Sequence, residues 1–439
     1  MPRRHARAAP AGGRPPAGAR PLAAAVVARV QRGAFLAPTL DEFLRASGLE
    51  REERALATDL AYGTVRRLPQ VDAALAPLLE RPERLPPAAL DALRLGTYEI
   101  LWRGTPPYAA VSAWVDVVKE THPRLAPLVN AVLRRVERPD VAAAGPAAAA
   151  LAAAMPGWLY ARLEAALGGD AAAAAAAMLE PEPLWLTAFS PAADAALTAD
   201  GAVSEPLGWG ALGGPRPLRV RSPLPVASLA AFRSGLVQPQ NPASLAVALA
   251  LGAGAGDRVL DLAAGRGVKS AVLAALGAEV TAVELDPRRG AAAAHNLTRL
   301  GLHVTHLTAD LLRPPPLESA PWVLLDAPCT GTGTLRGHPE IKLRLTAADV
   351  AAAARTQAGM LANAAAVTAP GGVLLYAVCS LTPDEGPDVV ARFLAAVPGF
   401  DPEPPNLPLP SRAVGAGAFV LPLAGVDGFY LARLRRTGG

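Results

Sequence analysis

Cysteine is almost absent from this sequence, because only Cys329 and Cys379 occur among 439 residues. Two cysteines exclude a disulfide scaffold and fit a reducing compartment, so we expect a cytoplasmic protein. Lysine is nearly as scarce, since three of the 42 basic residues are lysine and the other 39 are arginine. A cysteine or lysine that lies within a motif is therefore a candidate functional residue.

Long apolar membrane spans are missing as well. The uncharged stretches 141–161 and 356–383 are rich in Ala and Gly and contain prolines, which argues against transmembrane helices. Hydrophobic residues make up 51% and charged residues 18%, which excludes a fully disordered or fibrous chain. Five arginines among the first 22 residues account for the formal charge of +4. RNA contacts elsewhere would therefore depend on local basic patches.

The hydrophobic periodicity predicts several domains. A disordered basic tail at 1–21 is expected to precede an all-α domain of five to seven helices at 22–137. A linker rich in Ala, Gly and Pro is predicted at 138–157, and a helical or α+β subdomain at 158–240. From 241 to 439, short apolar segments alternate with helical ones, which predicts a doubly wound parallel sheet. Its strands are expected at 258–263, 279–285, 303–309, 322–326 and 372–379.

A glycine loop follows the first of these strands. It spans residues 263–270, reads AAGRGVKS, and is predicted to open a helix. Glycine lets the backbone turn tightly and approach a ligand, and the helix start offers N–H groups. The loop therefore predicts a nucleotide-like cofactor. A phosphate-binding P-loop fits less well, because Val268 stands where a glycine should precede the Lys-Ser pair.

Acidic residues close the next two predicted strands. Glu284 lies 23 residues after Asp261, where an acid accepts hydrogen bonds from a ribose diol. Asp310 either accepts from an adenine amino group or caps the following helix. These positions predict an adenosine-containing cofactor, and they leave NAD and S-adenosylmethionine equally open.

The two cysteines break this tie. Cys329 and Cys379 both follow strands that are expected to border one cleft. A single cysteine is most simply interpreted as a buried structural residue, but that interpretation fits poorly for two scarce residues at one ligand edge. A thiolate that adds to carbon 6 of cytosine enables carbon 5 to accept a methyl group, and a base and an acid complete the reaction. Two cysteines and Asp326 supply these roles, although spacing leaves open which cysteine attacks.

With these motifs the sequence resembles bacterial ribosomal RNA cytosine-C5 methyltransferases of the RsmB (Sun, Fmu) family, within the Nop/Sun group. The resemblance covers about residues 22–436 and extends to the segments 61–66 (AYGTVR), 129–134 (VNAVLR) and 240–244 (QNPAS). It implies a NusB-like all-α domain joined to a Rossmann-like class I methyltransferase domain. It also implies RNA binding by the NusB-like domain and by the subdomain at 158–240.

The resemblance further implies S-adenosylmethionine as cofactor and 16S ribosomal RNA as substrate. The expected product is 5-methylcytosine at the family's cytosine-967 type of site. The resemblance implies Cys379 as the nucleophile and Cys329 as the base that releases the product. DNA cytosine methyltransferases attack with the cysteine of a Pro-Cys pair. That pattern would instead select Cys329 as the nucleophile. Asp326 completes the predicted catalytic set together with Lys269. Independently of the resemblance, Lys269 is predicted to be functional because two of the three lysines of the chain lie in motif loops, where a compact ammonium is favoured over arginine.

Two groups of binding residues follow from the resemblance. Cofactor contacts are implied for Ala263, Ala264, Gly265, Arg266, Gly267, Val268, Lys269, Glu284, Asp310 and Asp326. RNA contacts are implied for Arg336, His338 and Lys342 in the loop that follows Cys329.

The glycine loop departs from the family's Cys-Ala-Ala-Pro-Gly-Gly-Lys pattern at Ala263, Gly265, Arg266 and Val268. We expect the bulk of Arg266 and Val268 to weaken cofactor binding or displace the loop, and we hypothesise that Arg266 pairs with the methionine carboxylate or an RNA phosphate.

We expect the protein to be a monomer without a metal that acts on unassembled or partly assembled small-subunit RNA. The alternatives are a methyltransferase for another ribosomal site or transfer RNA, an NAD-dependent oxidoreductase, and a non-catalytic RNA-binding assembly factor.

Overall fold

A computed structural model describes residues 17–141, 145–209 and 214–438. Residues 1–16 of the predicted basic tail lie outside these ranges. The chain divides into two units. Among the described residues, a helical unit comprises those up to Ala154 together with His338–Glu340, and a second unit comprises the others.

Helices make up the helical unit. They are α1 (Ala19–Gln31), α2 (Leu36–Ala46), α3 (Arg51–Leu75), α4 (Pro87–Tyr98), α5 (Pro107–Thr121), α6 (Ala126–Leu133) and α7 (Pro146–Ala152). Proline occupies the first position of α4, α5 and α7, where its missing N–H costs no helical hydrogen bond. The all-α prediction is confirmed for the described residues. Two details differ, because α1 begins inside the predicted tail and α7 lies inside the predicted linker.

The core of the helical unit explains one glycine of the AYGTVR segment. A β-carbon at Gly63 of α3 would lie 1.8 Å from Cζ of Tyr98, so only glycine lets α3 and the tyrosine ring pack together. Trp114 is fully buried and donates its indole N–H to Glu99 Oε2 at 2.8 Å, and Arg20 pairs with the same carboxylate at 2.6 Å. The buried acid therefore has hydrogen-bond partners on two other helices.

The second unit begins with an α+β subdomain. Its helices are α8 (Gly157–Leu167), α9 (Ala171–Met178), α10 (Ala193–Ala199) and α11 (Ala230–Arg233). Its strands are β1 (Leu184–Ala188), β2 (Val203–Pro206), β3 (Arg216–Arg221) and β4 (Val237–Pro239). They form an antiparallel sheet in the order β2-β3-β1-β4, and buried Leu186, Leu197 and Leu218 contribute to its core.

A larger sheet follows. Its strands are β5 (Arg258–Leu262), β6 (Glu279–Glu284), β7 (Thr305–Thr308), β8 (Ala320–Asp326), β9 (Thr368–Val378), β10 (Phe400–Glu403), β11 (Ser411–Val414), β12 (Gly417–Val420) and β13 (Phe429–Arg436). The accompanying helices are α12 (Pro242–Ala250), α13 (Val268–Ala275), α14 (Pro287–Arg299), α15 (Ile341–Arg344), α16 (Ala347–Ala366) and α17 (Pro387–Ala396). All five predicted strands are present, although β7 is shorter and β8 and β9 begin earlier than expected.

The large sheet is mixed and not purely parallel as predicted. Strands β7, β6, β5, β8 and β9 are parallel neighbours in that order, while β13 runs antiparallel to β9 and is followed by β12 and β11. The antiparallel strands follow one another with short connections at the chain's end, which permits antiparallel pairing without a crossover helix.

The order of the parallel strands places the ligand crevice. The chain passes from β5 to β6 on one side, and β8 lies on the other side of β5. In open α/β sheets a ligand binds at such a reversal, outside the carboxyl ends of the strands. In the part of the chain that is described, no helix is both long and apolar enough to cross a membrane.

Candidate active site

Both cysteines lie at the carboxyl edge of the parallel strands. Cys329 follows β8 and Cys379 follows β9, and these strands pair in parallel with Asp326 opposite Ala377. The two sulfur atoms are 3.1 Å apart, and both side chains are half-buried free thiols. The structure thus brings together two residues that are 50 positions apart in the chain.

An ion pair between a buried lysine and a half-buried aspartate lies at the same edge. Lys269 Nζ, from the first turn of α13, is 2.5 Å from Asp326 Oδ2 at the end of β8, and it lies over the Phe429 ring at 5.3 Å. Burial lowers the pKa of Lys269, but the charges of Asp326, Asp261 and Cys379 outweigh it and raise the pKa above its ordinary value. Lys269 therefore remains an ammonium at neutral pH.

The surroundings of Cys329 favour its protonated form. Its hydrogen bond with Cys379, its burial, and the negative charges of Cys379 and Glu385 raise the pKa of the Cys329 thiol well above its ordinary value. The charge of Cys379 also contributes to the raised pKa of Lys269. The arrangement thus favours a protonated Cys329 thiol and a charged Lys269 ammonium.

The glycine loop at 263–269, here called the cofactor loop, has an unusual backbone. Ala263, Gly265 and Gly267 have φ angles of 62°, 61° and 70°. Alanine adopts this left-handed region only at a cost, so Ala263 is held there by its surroundings. A β-carbon at Gly267 would lie 3.0 Å from the β-carbon of Ala293, whereas one at Gly265 would have no atom closer than 4.0 Å. Gly265 therefore borders open space.

The carboxylate of Glu284 fixes the cofactor loop. Its Oε2 accepts the N–H of Gly265 at 2.9 Å, and its Oε1 accepts the N–H of Asp286 at 2.9 Å. Asp310 follows β7 and accepts the N–H of Leu312 at 3.0 Å. The prediction that Asp310 caps a following helix is wrong, because the chain after Asp310 forms a turn and not a helix.

Asp261 also lies at this sheet edge, although the sequence pattern assigned it no role beyond its distance from Glu284. It is 0% exposed, accepts the Ser270 hydroxyl at 2.5 Å through Oδ2, and its Oδ1 has no hydrogen-bond partner. Burial raises its pKa to about 7, although the Ser270 hydroxyl and Lys269 oppose that shift. The signal in the sequence that could have identified Asp261 is an acidic residue inside an otherwise apolar strand.

The cofactor residues fit an adenosine-containing group. The space beside Gly265, the carboxylate of Glu284 and the orphaned Oδ1 of Asp261 all belong to the strand ends where such a ligand binds. Within the described ranges, no cluster of three or more His, Cys, Asp or Glu side chains could hold a metal ion.

The two bulky residues that depart from the family pattern in the cofactor loop, Arg266 and Val268, differ in their exposure to solvent. Arg266 is exposed. Val268 is the half-buried first residue of α13, and its carbonyl accepts Gln238 Nε2 at 3.1 Å. The guanidinium therefore extends into solvent, which differs from the expected crowding within the loop.

Two of the three predicted RNA-contacting residues are buried. Arg336 is 3% exposed and donates to the Pro422 carbonyl at 3.1 Å, and Lys342 is 2% exposed. Side chains this buried do not present their charge at the surface, so the structure does not favour direct phosphate contacts by either residue. His338 is exposed and belongs to the helical unit.

Comparison with known proteins identifies the family. A family model described as "16S rRNA methyltransferase RsmB/F" matches residues 248–435, and a "NusB family" model matches residues 17–138. The ribosomal RNA small subunit methyltransferase B of Thermus thermophilus is 45% identical over 427 residues, which cover 95% of this chain and 98% of the relative. The chain belongs to the RsmB/F family of 16S rRNA methyltransferases. Membership in the RsmB/F family confirms the NusB-like and methyltransferase domains and S-adenosylmethionine as cofactor.

More distant relatives of this RsmB/F chain agree. The enzyme of the same name from Salmonella paratyphi A is 31% identical over 408 residues, covering 87% of this chain and 90% of the relative. The crystal structure of PH0851 has the same fold, with a TM-score of 0.77, 23% identity, and coverage of 97% of this chain and 100% of that one. A methyltransferase homolog from Pyrococcus horikoshii matches with a TM-score of 0.57 and 25% identity, covering 67% and 100%.

Proposed function

We propose that this RsmB/F-family protein methylates carbon 5 of a cytosine in 16S ribosomal RNA, at the family's cytosine-967 type of site. One observation carries the proposal: two thiols lie 3.1 Å apart at the ligand edge of the sheet, where the Lys269–Asp326 ion pair also lies. Cytosine carbon 5 needs a nucleophile on carbon 6 before it accepts a methyl group, and then a base. Two adjacent thiols meet both needs.

Cys379 is the proposed nucleophile. Its sulfur forms a bond to carbon 6 with its own electron pair, and the electrons of the C5–C6 double bond shift so that carbon 5 becomes nucleophilic. Asp326 holds or protonates the ring-nitrogen edge of the cytosine, and its partner Lys269 orients it. The ammonium beside Cys379 supports this assignment, because a positive charge stabilises a thiolate. Bound S-adenosylmethionine would supply an electrophilic methyl group to carbon 5.

Cys329 is the proposed base. Once the sulfur of Cys379 is bonded to carbon, it is neutral and can no longer hold the Cys329 proton by charge. Two of the contributions that keep Cys329 protonated therefore disappear, and its thiol can release its proton to water. The thiolate then removes the carbon-5 proton, the ring double bond re-forms, and Cys379 leaves as a thiolate.

The RNA must expose its target base. A cysteine reaches carbon 6 only when the cytosine is unpaired or flipped out of its stack. The relatives named small subunit methyltransferase B support small-subunit ribosomal RNA as the substrate. We propose that the protein acts as a monomer on unassembled or partly assembled RNA, and that the NusB-like domain and the α+β subdomain contribute RNA contacts.

Trapping on RNA tests the proposal. Unmodified protein, given labelled S-adenosylmethionine and 16S RNA, is expected to form 5-methylcytosine, detected by mass spectrometry of the digested RNA. Cys329→Ala should accumulate a covalent protein–RNA adduct that survives denaturation, because the adduct no longer collapses. Cys379→Ala should form none. The reverse pattern would exchange the two roles. The absence of modified cytosine with both naked and partly assembled 16S RNA would refute the proposal.

A further inference from the structure

Glu385 is a fully buried acid that the proposed mechanism does not use. It is 0% exposed and lies between β9 and α17. Five hydrogen bonds reach its carboxylate. They come from Thr330 N at 2.9 Å, Thr330 Oγ1 at 2.5 Å, Ser380 Oγ at 2.6 Å, Thr382 Oγ1 at 3.0 Å and Gln357 Nε2 at 3.0 Å.

The donors belong to both cysteine-bearing segments. Thr330 directly follows Cys329, and Ser380 directly follows Cys379. We call residues 327–334 and 379–385 the cysteine loops. Gln357 of α16 also donates to the Pro328 carbonyl at 3.0 Å, so the same amide fixes the backbone just before Cys329. One carboxylate thus joins the backbone of one cysteine loop to the hydroxyls of the other.

The backbone of Glu385 is itself anchored. Tyr376 of β9 is fully buried, and its hydroxyl donates to the Glu385 carbonyl at 2.6 Å. Removing a carboxylate from water is costly unless hydrogen bonds replace its hydration. Here the two oxygens accept two and three hydrogen bonds, which meets that requirement and fixes the side chain in one position.

We propose that Glu385 is the positioning residue that holds the Cys329 and Cys379 sulfur atoms in contact. Its negative charge has a second effect, since it helps to keep the proton on Cys329 before the reaction. The inference rests on the proposed function only in taking the two thiols as the reacting groups. Its tests use neither RNA nor methyl donor, so its failure is distinguishable from failure of the proposed function.

The first test measures how close the thiols stay. Diamide, an azo oxidant, takes up two electrons and two protons as the two thiols form a disulfide. Glu385→Ala removes the acceptor for both cysteine loops and should slow this cross-link about tenfold or more. Glu385→Gln should restore the rate to within about threefold, because its oxygen can accept from Thr330 N and Gln357 while the hydroxyls turn to accept from its amide. Such rescue is not expected if the negative charge alone keeps the thiols together.

The second test measures the charge effect in a Cys379→Ser background, where Cys329 is the remaining thiol. The rate of Cys329 alkylation by iodoacetamide is followed against pH. Glu385→Gln removes a negative charge near the thiol and should shift the midpoint to lower pH by about one unit. The matched control is Glu99→Gln, another fully buried acid with hydrogen bonds to a side chain, which should leave both measurements unchanged.

Slow cross-linking in Glu385→Ala with rescue by Glu385→Gln supports the proposal, and an unchanged rate in Glu385→Ala overturns it. An unchanged alkylation midpoint in Glu385→Gln overturns the charge effect. If Glu385→Ala does not fold, Thr330→Val combined with Ser380→Ala removes one hydroxyl donor from each cysteine loop. Cross-linking as fast as in the unmodified protein would then contradict the proposal.

Discussion

The cofactor loop and the cysteine loops lie at one sheet edge but are held in different ways. The cofactor loop is defined by its backbone, with three residues at positive φ and one N–H bound to Glu284. The cysteine loops are defined by buried side chains, including a 3.0 Å contact between the Thr332 and Ser380 hydroxyls and the five bonds to Glu385.

This difference predicts which of the two regions tolerates new side chains. A loop fixed by backbone geometry tolerates a new side chain that points to solvent, as Arg266 does. A loop fixed by buried hydrogen bonds does not, because each lost partner leaves a polar group unsatisfied. The exposed Arg266 is such a tolerated replacement in the cofactor loop, whereas the cysteine loops contain both thiols and the buried hydroxyls that bind Glu385.

The largest effect is expected from Gly333→Ala in a cysteine loop. A β-carbon there would lie 2.0 Å from the Gly428 carbonyl oxygen and 3.0 Å from that of Cys379. Gly333 N–H also donates to the Cys379 carbonyl at 2.9 Å, so the clash separates the two cysteine loops. We expect methyl transfer to fall roughly 100-fold, measured as incorporation of labelled methyl groups into RNA.

The control is the same substitution in a helix near the cofactor loop. Gly290 lies in α14, and a β-carbon there would have no atom within 4 Å. Gly290→Ala should leave activity unchanged and stabilise the fold by up to about 1 kcal/mol, because alanine favours a helix. Equal activity of the two variants would contradict the contrast between the loops.

An intermediate effect is expected on the pH dependence of stability, through Asp261. Because burial raises its pKa to about 7 from 3.8, the folded state binds more protons than the unfolded state between those values. Stability therefore falls as pH rises through this window, by at most about 4 kcal/mol. Asp261→Asn should remove that decline, measured as urea midpoints from pH 4 to pH 8.

Asp401→Asn, which changes an exposed aspartate of β10, serves as the matched control and should keep the decline of the unmodified protein. Parallel stability profiles for Asp261→Asn and the unmodified protein would show that burial does not keep Asp261 protonated.

The smallest effect is expected from Arg266→Ala in the cofactor loop. Arg266 is exposed, so an ion pair with the methionine carboxylate or an RNA phosphate is screened by water and salt. We expect affinity for one of these ligands to fall about two- to fivefold at low salt and less at high salt. Titrations of cofactor and RNA, with the exposed Arg288→Ala as control, check this. Unchanged affinity for both ligands would remove the hypothesis.

Sequence patterns predicted much of the fold and part of the site. The five parallel strands follow from short apolar runs, and Cys329, Cys379 and Asp326 follow from their positions after those runs. The patterns missed Glu385, because an acid among polar residues after a strand is indistinguishable from a solvated one. They also did not show that Arg336 and Lys342 are buried, since burial depends on residues far away in the chain.

The sequence by itself determined the alternation of strands and helices, the positive-φ glycines of the cofactor loop and the scarcity of thiols, because these depend on local periodicity and composition. Only the tertiary structure decided that the two sulfur atoms lie 3.1 Å apart, that Lys269 pairs with Asp326, and that one buried carboxylate joins both cysteine loops. The physical reason is that packing brings distant segments together, and burial then sets which charges and protons each side chain keeps.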